Sequence, residues 1–212
     1  MFSQLIFYYP NGGFLGFINL ICGVLLFSVL SCSPEPEPDY LPVNFTVYQQ
    51  ILGLSYISSQ VPFSIDYPLD VQAVDSVDIM NFRESIQADT NAYFKIELLD
   101  MKRSTAGMVV TVSLIDSAET ASRILNDNYL EQLKTTFNTE SIIRNKVSIN
   151  KIPTIQFIVT SENYINIKLF LILEPSTIQV DYFIPSHQYS EKLEQIESSI
   201  GSISHKKKEE KK

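Results

Sequence analysis

Residues 165–184 read INIKLFLILEPSTIQVDYFI, and two alternating patterns within this stretch decide the fold. Aliphatic side chains occupy every second position from 165 to 173, and aliphatic side chains and one tyrosine do so from 178 to 184. This alternation predicts two strands, because successive side chains of a strand point to opposite faces of a sheet. Pro175 and Ser176 lie between the two patterns and predict a short hairpin connection. The strands are therefore expected to be antiparallel, since parallel neighbours need a long crossover.

Further strands are predicted on both sides of this pair of patterns. The stretch 152–159 alternates in the same way, and Ser161, Glu162 and Asn163 follow it as a short turn, which predicts a three-stranded antiparallel meander. Earlier in the chain, strands are predicted at 63–67, 93–98 and 108–115.

Two helices are predicted from apolar residues at helical spacing. The first begins at Asp116, which with Glu119 forms a capping-box spacing. Its apolar stripe consists of Ala118, Ala121, Ile124, Leu125, Tyr129 and Leu133. The second begins near Ser186 and ends near Gly201. Its buried face consists of Leu193, Ile196, Ile200 and Ile203.

The nominally polar face of the predicted sheet also carries large apolar side chains, namely Phe170, Ile172 and Phe183. Such a face is expected to be covered. Either the second helix and the N-terminal segment cover it, which gives an α/β/α sandwich, or a partner does. We favour cover from within the chain. The predicted fold class is α+β, with an antiparallel β-sheet flanked by helices.

Charge is distributed unevenly along the 212 residues, whose net charge is −8. Residues 1–31 contain no charged side chain, and the Lys-rich segment 206–212 carries +3, so the body between them carries −11. An acidic body of this kind is a poor binder of nucleic acid, and no nucleic-acid partner is predicted. The segment 204–212 is predicted to be a disordered tail.

The N-terminal region has the layout of a lipid-anchored protein. Residues 14–31 form an uncharged apolar run, long enough to enter a bilayer as a helix, and 32–41 form a tether in which proline alternates with acidic residues. Val29-Leu30-Ser31-Cys32 resembles the lipobox of bacterial lipoproteins. The resemblance implies that residues 1–31 are a signal peptide and that Cys32 is acylated. The alternatives are an uncleaved membrane anchor or a buried core helix, and Cys22 is interpreted as a small apolar residue within the run.

The order of the predicted elements resembles that of the PsbP-like family. The similarity begins at 63–68, Phe-Ser-Ile-Asp-Tyr-Pro, and ends in a closing helix at 196–200, Ile-Glu-Ser-Ser-Ile. That family includes a photosystem II oxygen-evolving-enhancer subunit, bacterial lipoproteins and a Ran-binding protein. The resemblance implies that 42–203 form one PsbP-like domain, which serves as a non-catalytic docking or assembly module.

Side chains suited to catalysis are few in the predicted body. His187 is the one histidine inside it, and neither a nucleophile motif nor a glycine-rich phosphate loop is present. His187 and Glu191 are spaced as a helical pair, but two ligands do not make a transition-metal site. His205 adjoins the Lys-rich segment. No catalytic residue, metal or cofactor is predicted.

Four acidic residues follow one another closely around the 63–68 motif: Asp66, Asp70, Asp75 and Asp78. Turn and strand-end chemistry is the common reason for such residues. The alternative function is an envelope hydrolase that uses two of these carboxylates as acid and base. The expected function is instead that of a lipoprotein in the bacterial cell envelope, outside the cytoplasm, which binds the membrane through its lipid and an unidentified protein through its body.

Overall fold

Both alternating stretches are strands in the computed structural model of the protein. The structure describes residues 40–88, 93–115, 123–139 and 141–205, and the backbone alone for 85–88. These residues belong to one compact unit, Asp39–Lys212. Among the helices in these ranges, none is both long enough and apolar enough to cross a membrane.

The described part of the chain contains ten strands and three α-helices with defined bounds. The strands are β1 (Leu41–Val43), β2 (Leu52–Ile57), β3 (Ser64–Pro68), β4 (Val71–Ala73), β5 (Ile96–Ser104), β6 (Val109–Ile115), β7 (Ile142–Ile149), β8 (Ile152–Thr160), β9 (Tyr164–Leu173) and β10 (Ser176–Pro185). The helices are α1 (Ser76–Ala88), α2 (Asp127–Phe137) and α3 (Tyr189–Ser202), and 3₁₀ turns occupy Gln49–Ile51 and Ser186–Gln188.

Eight strands form the main sheet in the order β1-β7-β8-β9-β10-β6-β5-β4. Neighbours are antiparallel except β1, which runs parallel to β7. The predicted meander of β8, β9 and β10 is confirmed, and so is the α+β class with helices flanking an antiparallel sheet. The 63–67 strand is also present, but as β3 it pairs with β2 in a separate two-stranded sheet.

The two faces of the main sheet are covered by different elements. On one face, Leu169 and Val180 pack in the same cluster as Ile65 of β3 and Ile196 of α3. On the other, the Tyr129 ring of α2 lies 5.7 Å from the ring of Phe170, and Phe137 stacks on Phe183 at 6.4 Å. The predicted cover from within the chain is therefore correct, but the covering element was assigned wrongly. Helix α2 covers the Phe170 face, whereas the apolar residues of α3 pack against the opposite face.

The helix ends differ from those predicted. The predicted start at Asp116 and Glu119 lies outside the described residues, and α2 begins at Asp127, with the side chain of Asn126 accepting the N–H of Asn128 at 3.0 Å. A turn and a bend at Leu125 and Asn126 precede this helix, so the apolar stripe does not belong to one continuous helix. Gly201 does not end the closing helix either, since α3 continues through Ser202.

The structured body also extends slightly beyond its predicted limits. Leu41, assigned to the tether, is the first residue of β1. Ser204, assigned to the tail, exchanges two backbone hydrogen bonds with Ser64, of 3.0 and 2.9 Å. Four strands and one helix were not predicted from sequence. They are β1, β2, β4, β7 and α1.

Helix α3 contacts its neighbours through four small residues near its C-terminal end, Ser198, Ser199, Gly201 and Ser202, which are called the small-residue run below. The Ser199 hydroxyl donates to the carbonyl of Asp66 at 2.7 Å and lies 2.8 Å from the Tyr182 hydroxyl. The Ser202 hydroxyl oxygen accepts the Asp66 N–H at 2.9 Å. These bonds join α3 both to β3 of the small sheet and to the main sheet.

A buried polar cluster lies on the Phe170 face of the main sheet. Lys168 and Asp181, opposite each other on β9 and β10, form an ion pair of 2.5 Å and are each less than 10% exposed. The amides of Gln179 and Asn166 donate to the same carboxylate. Neither amide oxygen has a described partner. The Asp181 carboxylate therefore neutralises the buried ammonium and organises the polar groups around it.

Removing one member of this pair is expected to be more damaging than removing both. Asp181→Leu leaves the Lys168 ammonium buried without a counter-ion, and we expect the free energy of unfolding to fall by about 3–5 kcal/mol. The double variant Lys168→Met, Asp181→Leu buries no charge and is expected to recover most of that loss. Urea unfolding of both variants measures the difference. Equal losses would contradict this account of the pair.

Buried tyrosines make the fold sensitive to alkali. Burial, and then the negative charge of Asp100, raise the pKa of Tyr67, whose hydroxyl donates to that carboxylate at 2.9 Å. Burial likewise raises the pKa of Tyr129 and of Tyr182. The folded state therefore keeps these protons above pH 10, where the unfolded chain begins to release them. Each tyrosine lowers the free energy of unfolding by about 1.4 kcal/mol per pH unit in that range.

Tyr67→Phe is accordingly expected to be less sensitive to alkali than the parent protein. Between about pH 10 and 11.5, the free energy of unfolding is expected to fall with pH in both proteins. The slope of this fall is expected to be about 1.4 kcal/mol per pH unit smaller in the variant than in the parent. Urea titrations at a series of pH values measure the two slopes. Identical slopes would mean that Tyr67 ionises in the folded protein and would refute the assignment.

Candidate functional site

An open groove of about 600 Å³ lies between residues 43–48 and helix α3. Three partly buried apolar side chains, Val43, Phe45 and Leu193, are among the residues that line it. Glu194 and Glu197 of α3 and Tyr48 line it as exposed residues. The groove therefore combines an apolar lining with an acidic margin. Its volume falls within the range of about 300–1,000 Å³ that is usual for ligand sites.

The segment 43–48 lies against α3 because the small-residue run allows a close approach. A Cβ atom added at Gly201 would lie 2.7 Å from Cβ of Phe45 and 2.8 Å from Cγ2 of Val47. The buried hydroxyl of Ser198 accepts the N–H of Tyr48 at 3.3 Å and donates to a carbonyl of the same segment at 3.4 Å. The groove wall is thus fixed by backbone contacts to the helix.

Helical periodicity divides α3 between the core and the groove. Ile196 and Ile200 pack in the core cluster with the sheet. Leu193, Glu194 and Glu197 line the groove, since Glu197 lies four residues after Leu193 and three after Glu194 on the helix. The same helix therefore fixes the fold with one face and presents the two carboxylates with another.

The two groove carboxylates have no counter-ion in the described part of the chain. Glu194 and Glu197 are exposed, and neither makes a hydrogen bond or an ion pair with any described residue. No lysine or arginine is present among the described lining residues. Lys192, on the same helix, is held 2.8 Å from Asp70 instead. Among the described residues, the margin of the groove therefore carries negative charge without a compensating cation.

The four acidic residues singled out in the sequence do not form a shared site. Asp66 accepts the hydroxyl of Ser55 at 2.6 Å, and Asp70 accepts the ammonium of Lys192 at 2.8 Å. These two side chains have different partners on different elements. Their carboxylates serve local contacts, as the turn and strand-end interpretation predicts.

The remaining two acidic residues belong to helix α1. Asp75 precedes the helix and accepts the N–H of Val77 at 2.8 Å, the contact of a helix N-cap. Asp78, in its first turn, lies 3.4 Å from Arg103. Within the described ranges, no group of three or more His, Cys, Asp or Glu side chains is placed to hold a metal ion.

The other candidate residues fall in exposed positions or outside the described ranges. His187 lies in an exposed turn with its Nε2 atom 3.2 Å from Nε2 of Gln188, and Glu191 is exposed on α3. His205 is exposed directly after Ser204. The predicted lipidation site Cys32, with Cys22 and the segment 206–212, lies outside the described residues.

The observed fold is thus an α+β sheet structure with helices on both faces of the sheet. No protein-family model and no curated protein matches the chain. Among solved structures, the solution structure of cyanobacterial PsbP (CyanoP) from Synechocystis is similar with a TM-score of 0.45 and 12% sequence identity, over 72% of this chain and 91% of that one.

A crystal structure from Bacteroides thetaiotaomicron is similar with a TM-score of 0.39 and 13% sequence identity. The similarity covers 76% of this chain and 51% of that one, so the chain spans about half of that protein's length.

The close packing at Gly201 can be tested by adding one methyl group. Gly201→Ala is expected to lower the free energy of unfolding by about 1–2 kcal/mol, because the cost of overpacking exceeds the gain in helix propensity. Ser190→Ala, at an exposed position of the same helix, is the control and is expected to change stability by less than about 0.5 kcal/mol. Urea unfolding measures both. A Gly201→Ala variant as stable as the parent would refute the contact.

Proposed function

We propose that the protein is a lipoprotein of the bacterial cell envelope. In this proposal, acylated Cys32 holds a PsbP-like body outside the cytoplasm, where the body acts as a non-catalytic binding or assembly module. The single observation that carries the binding role is the groove beside α3, with its apolar lining and two carboxylates that have no partner among the described residues. A surface of this kind suits recognition of another molecule.

The proposed anchor is supported by the order of segments ahead of the body. The apolar run 14–31 leads to a lipobox-like sequence and then to a tether with alternating proline and acidic residues. The described chain begins at Tyr40, and Val43, three residues later, already lines the groove. Several acyl chains on one cysteine hold a protein stably, since each buried CH₂ contributes about 0.8 kcal/mol.

A non-catalytic role is supported by the contacts of the side chains that are suited to catalysis. A glycosidase-type mechanism needs two carboxylates that face each other across a substrate. Asp66, Asp70, Asp75 and Asp78 instead contact separate partners. His187 lies beside an amide rather than beside a nucleophile. These contacts favour the binding module over the alternative of an envelope hydrolase.

The anchor is tested by metabolic labelling with a radioactive or alkyne-bearing fatty acid in the native host. We expect the parent protein and Cys22→Ala to be labelled and to sediment with membranes. Cys32→Ala is expected to lose all label, because no other thiol follows the apolar run. Labelling of Cys32→Ala at the level of the parent would refute the lipoprotein assignment.

A further inference from the structure

From the groove beside α3 we infer the chemistry of its partner: a protein segment that carries lysine or arginine next to an apolar side chain. This inference rests on the proposed function, since it names the kind of molecule that the binding module recognises. It depends on three observations, which are the charge of the groove margin, the exposure of its apolar lining, and the placement of the neighbouring lysine.

The first observation is that Glu194 and Glu197 lie about one helical turn apart and have no counter-ion in the ranges that the structure describes. Residues three apart on a helix are neighbours, so the two negative charges repel each other in the unbound protein. Every described lining residue is neutral or acidic. A cationic side chain placed between the two carboxylates relieves this repulsion and forms charge-assisted hydrogen bonds, which are stronger than neutral ones.

The second observation is that the apolar lining is within reach of a ligand. Val43, Phe45 and Leu193 are partly buried and line a volume of about 600 Å³. Tyr48 is 38% exposed at the margin. Aromatic and aliphatic residues at the centre with polar groups at the rim are the usual composition of a protein–protein interface. An apolar side chain of the partner is therefore expected to enter between Phe45 and Leu193.

The third observation distinguishes a basic protein segment from an anionic surface. The body of the chain carries −11, and the one lysine of α3, Lys192, is paired with Asp70 outside the groove. An anionic lipid headgroup would meet like charge at the groove margin and find no described cation there. Electrostatic complementarity of this kind selects among partners and accelerates the encounter with a basic one.

The binding experiment uses the full-length protein in detergent and a fluorescent pentapeptide, Lys-Leu-Lys-Leu-Lys, observed by fluorescence polarisation. Two matched peptides, Glu-Leu-Glu-Leu-Glu and Lys-Ser-Lys-Ser-Lys, separate the contributions of charge and of apolar contact. We expect the first peptide to bind more tightly than either of the others. Its affinity is expected to fall as salt is raised, because exposed charges are screened.

Substitutions in α3 then locate the binding. Glu194→Gln with Glu197→Gln is expected to weaken binding of the lysine peptide by about five- to tenfold, as expected for two exposed ion pairs. Glu191→Gln removes the same charge from an exposed position of the same helix that does not line the groove. This control is expected to change the affinity by less than about twofold. Equal effects of both changes, or no effect of either, would overturn the proposal.

Two further experiments test the alternatives. The first asks whether the chain itself occupies the groove, and the second tests the binding role independently of the partner's chemistry. If replacing Lys206, Lys207 and Lys208 by serine strengthened peptide binding, the groove would be occupied by the chain's own lysines, and the partner proposal would fail.

A photo-crosslinking residue at Tyr48 in intact cells tests the binding role alone. If a partner is captured equally by the parent and by the Glu194→Gln, Glu197→Gln variant, the protein is still a binding module. The proposal that its partner binds through a basic segment would then be refuted. Absence of any partner would refute the module.

Discussion

The contact of helix α3 with its neighbours through the small-residue run is the constraint on which the rest of the structure depends. Ser199 and Ser202 bond to both backbone groups of Asp66 in β3, and Ser199 also meets Tyr182 of the main sheet. Gly201 leaves space for Phe45. Larger side chains at these positions would separate the helix from the small sheet on one side and from the groove wall on the other, because a packed interior absorbs little extra volume.

Two groups of acidic residues in the body differ in how their charge is compensated. Asp70, Asp181 and Asp100 each lie within 2.8 Å of a lysine ammonium, so their charges are compensated where burial makes an isolated charge costly. Glu194 and Glu197 are solvated and have no such partner among the described residues. Compensated carboxylates stabilise the fold, whereas the solvated pair remains available to a second molecule.

Elements with strong local periodicity could be predicted from the sequence. Strands β8, β9 and β10 were found because their side chains alternate and short turns join them. Strand β7 was missed because its sequence, IIRNKVSI, mixes polar and apolar residues on both faces, and α1 because no residue of its described part is buried. The strand β3 was found, but its pairing with β2 was not, since that pairing depends on how α3 packs.

The groove and the buried ion pair could not be predicted for the same physical reason. Residues 43–48 alternate between apolar and polar side chains, a pattern that by itself indicates a strand, and they become a groove wall only because Gly201 and Ser198 hold them against α3. Lys168 and Asp181 occupied the face interpreted as polar, and their burial depends on cover by α2. In both cases the property belongs to contacts between elements distant in sequence.

The parallel pairing of β1 with β7 has a mechanical consequence. Strand β1 is three residues long and directly precedes the groove wall, so a force applied ahead of Leu41 is borne first by its few hydrogen bonds to β7. Pulling along the strand loads those bonds in shear. Because Val43 belongs to both the strand and the groove, tension on the N-terminal side would deform the groove before it reached the meander.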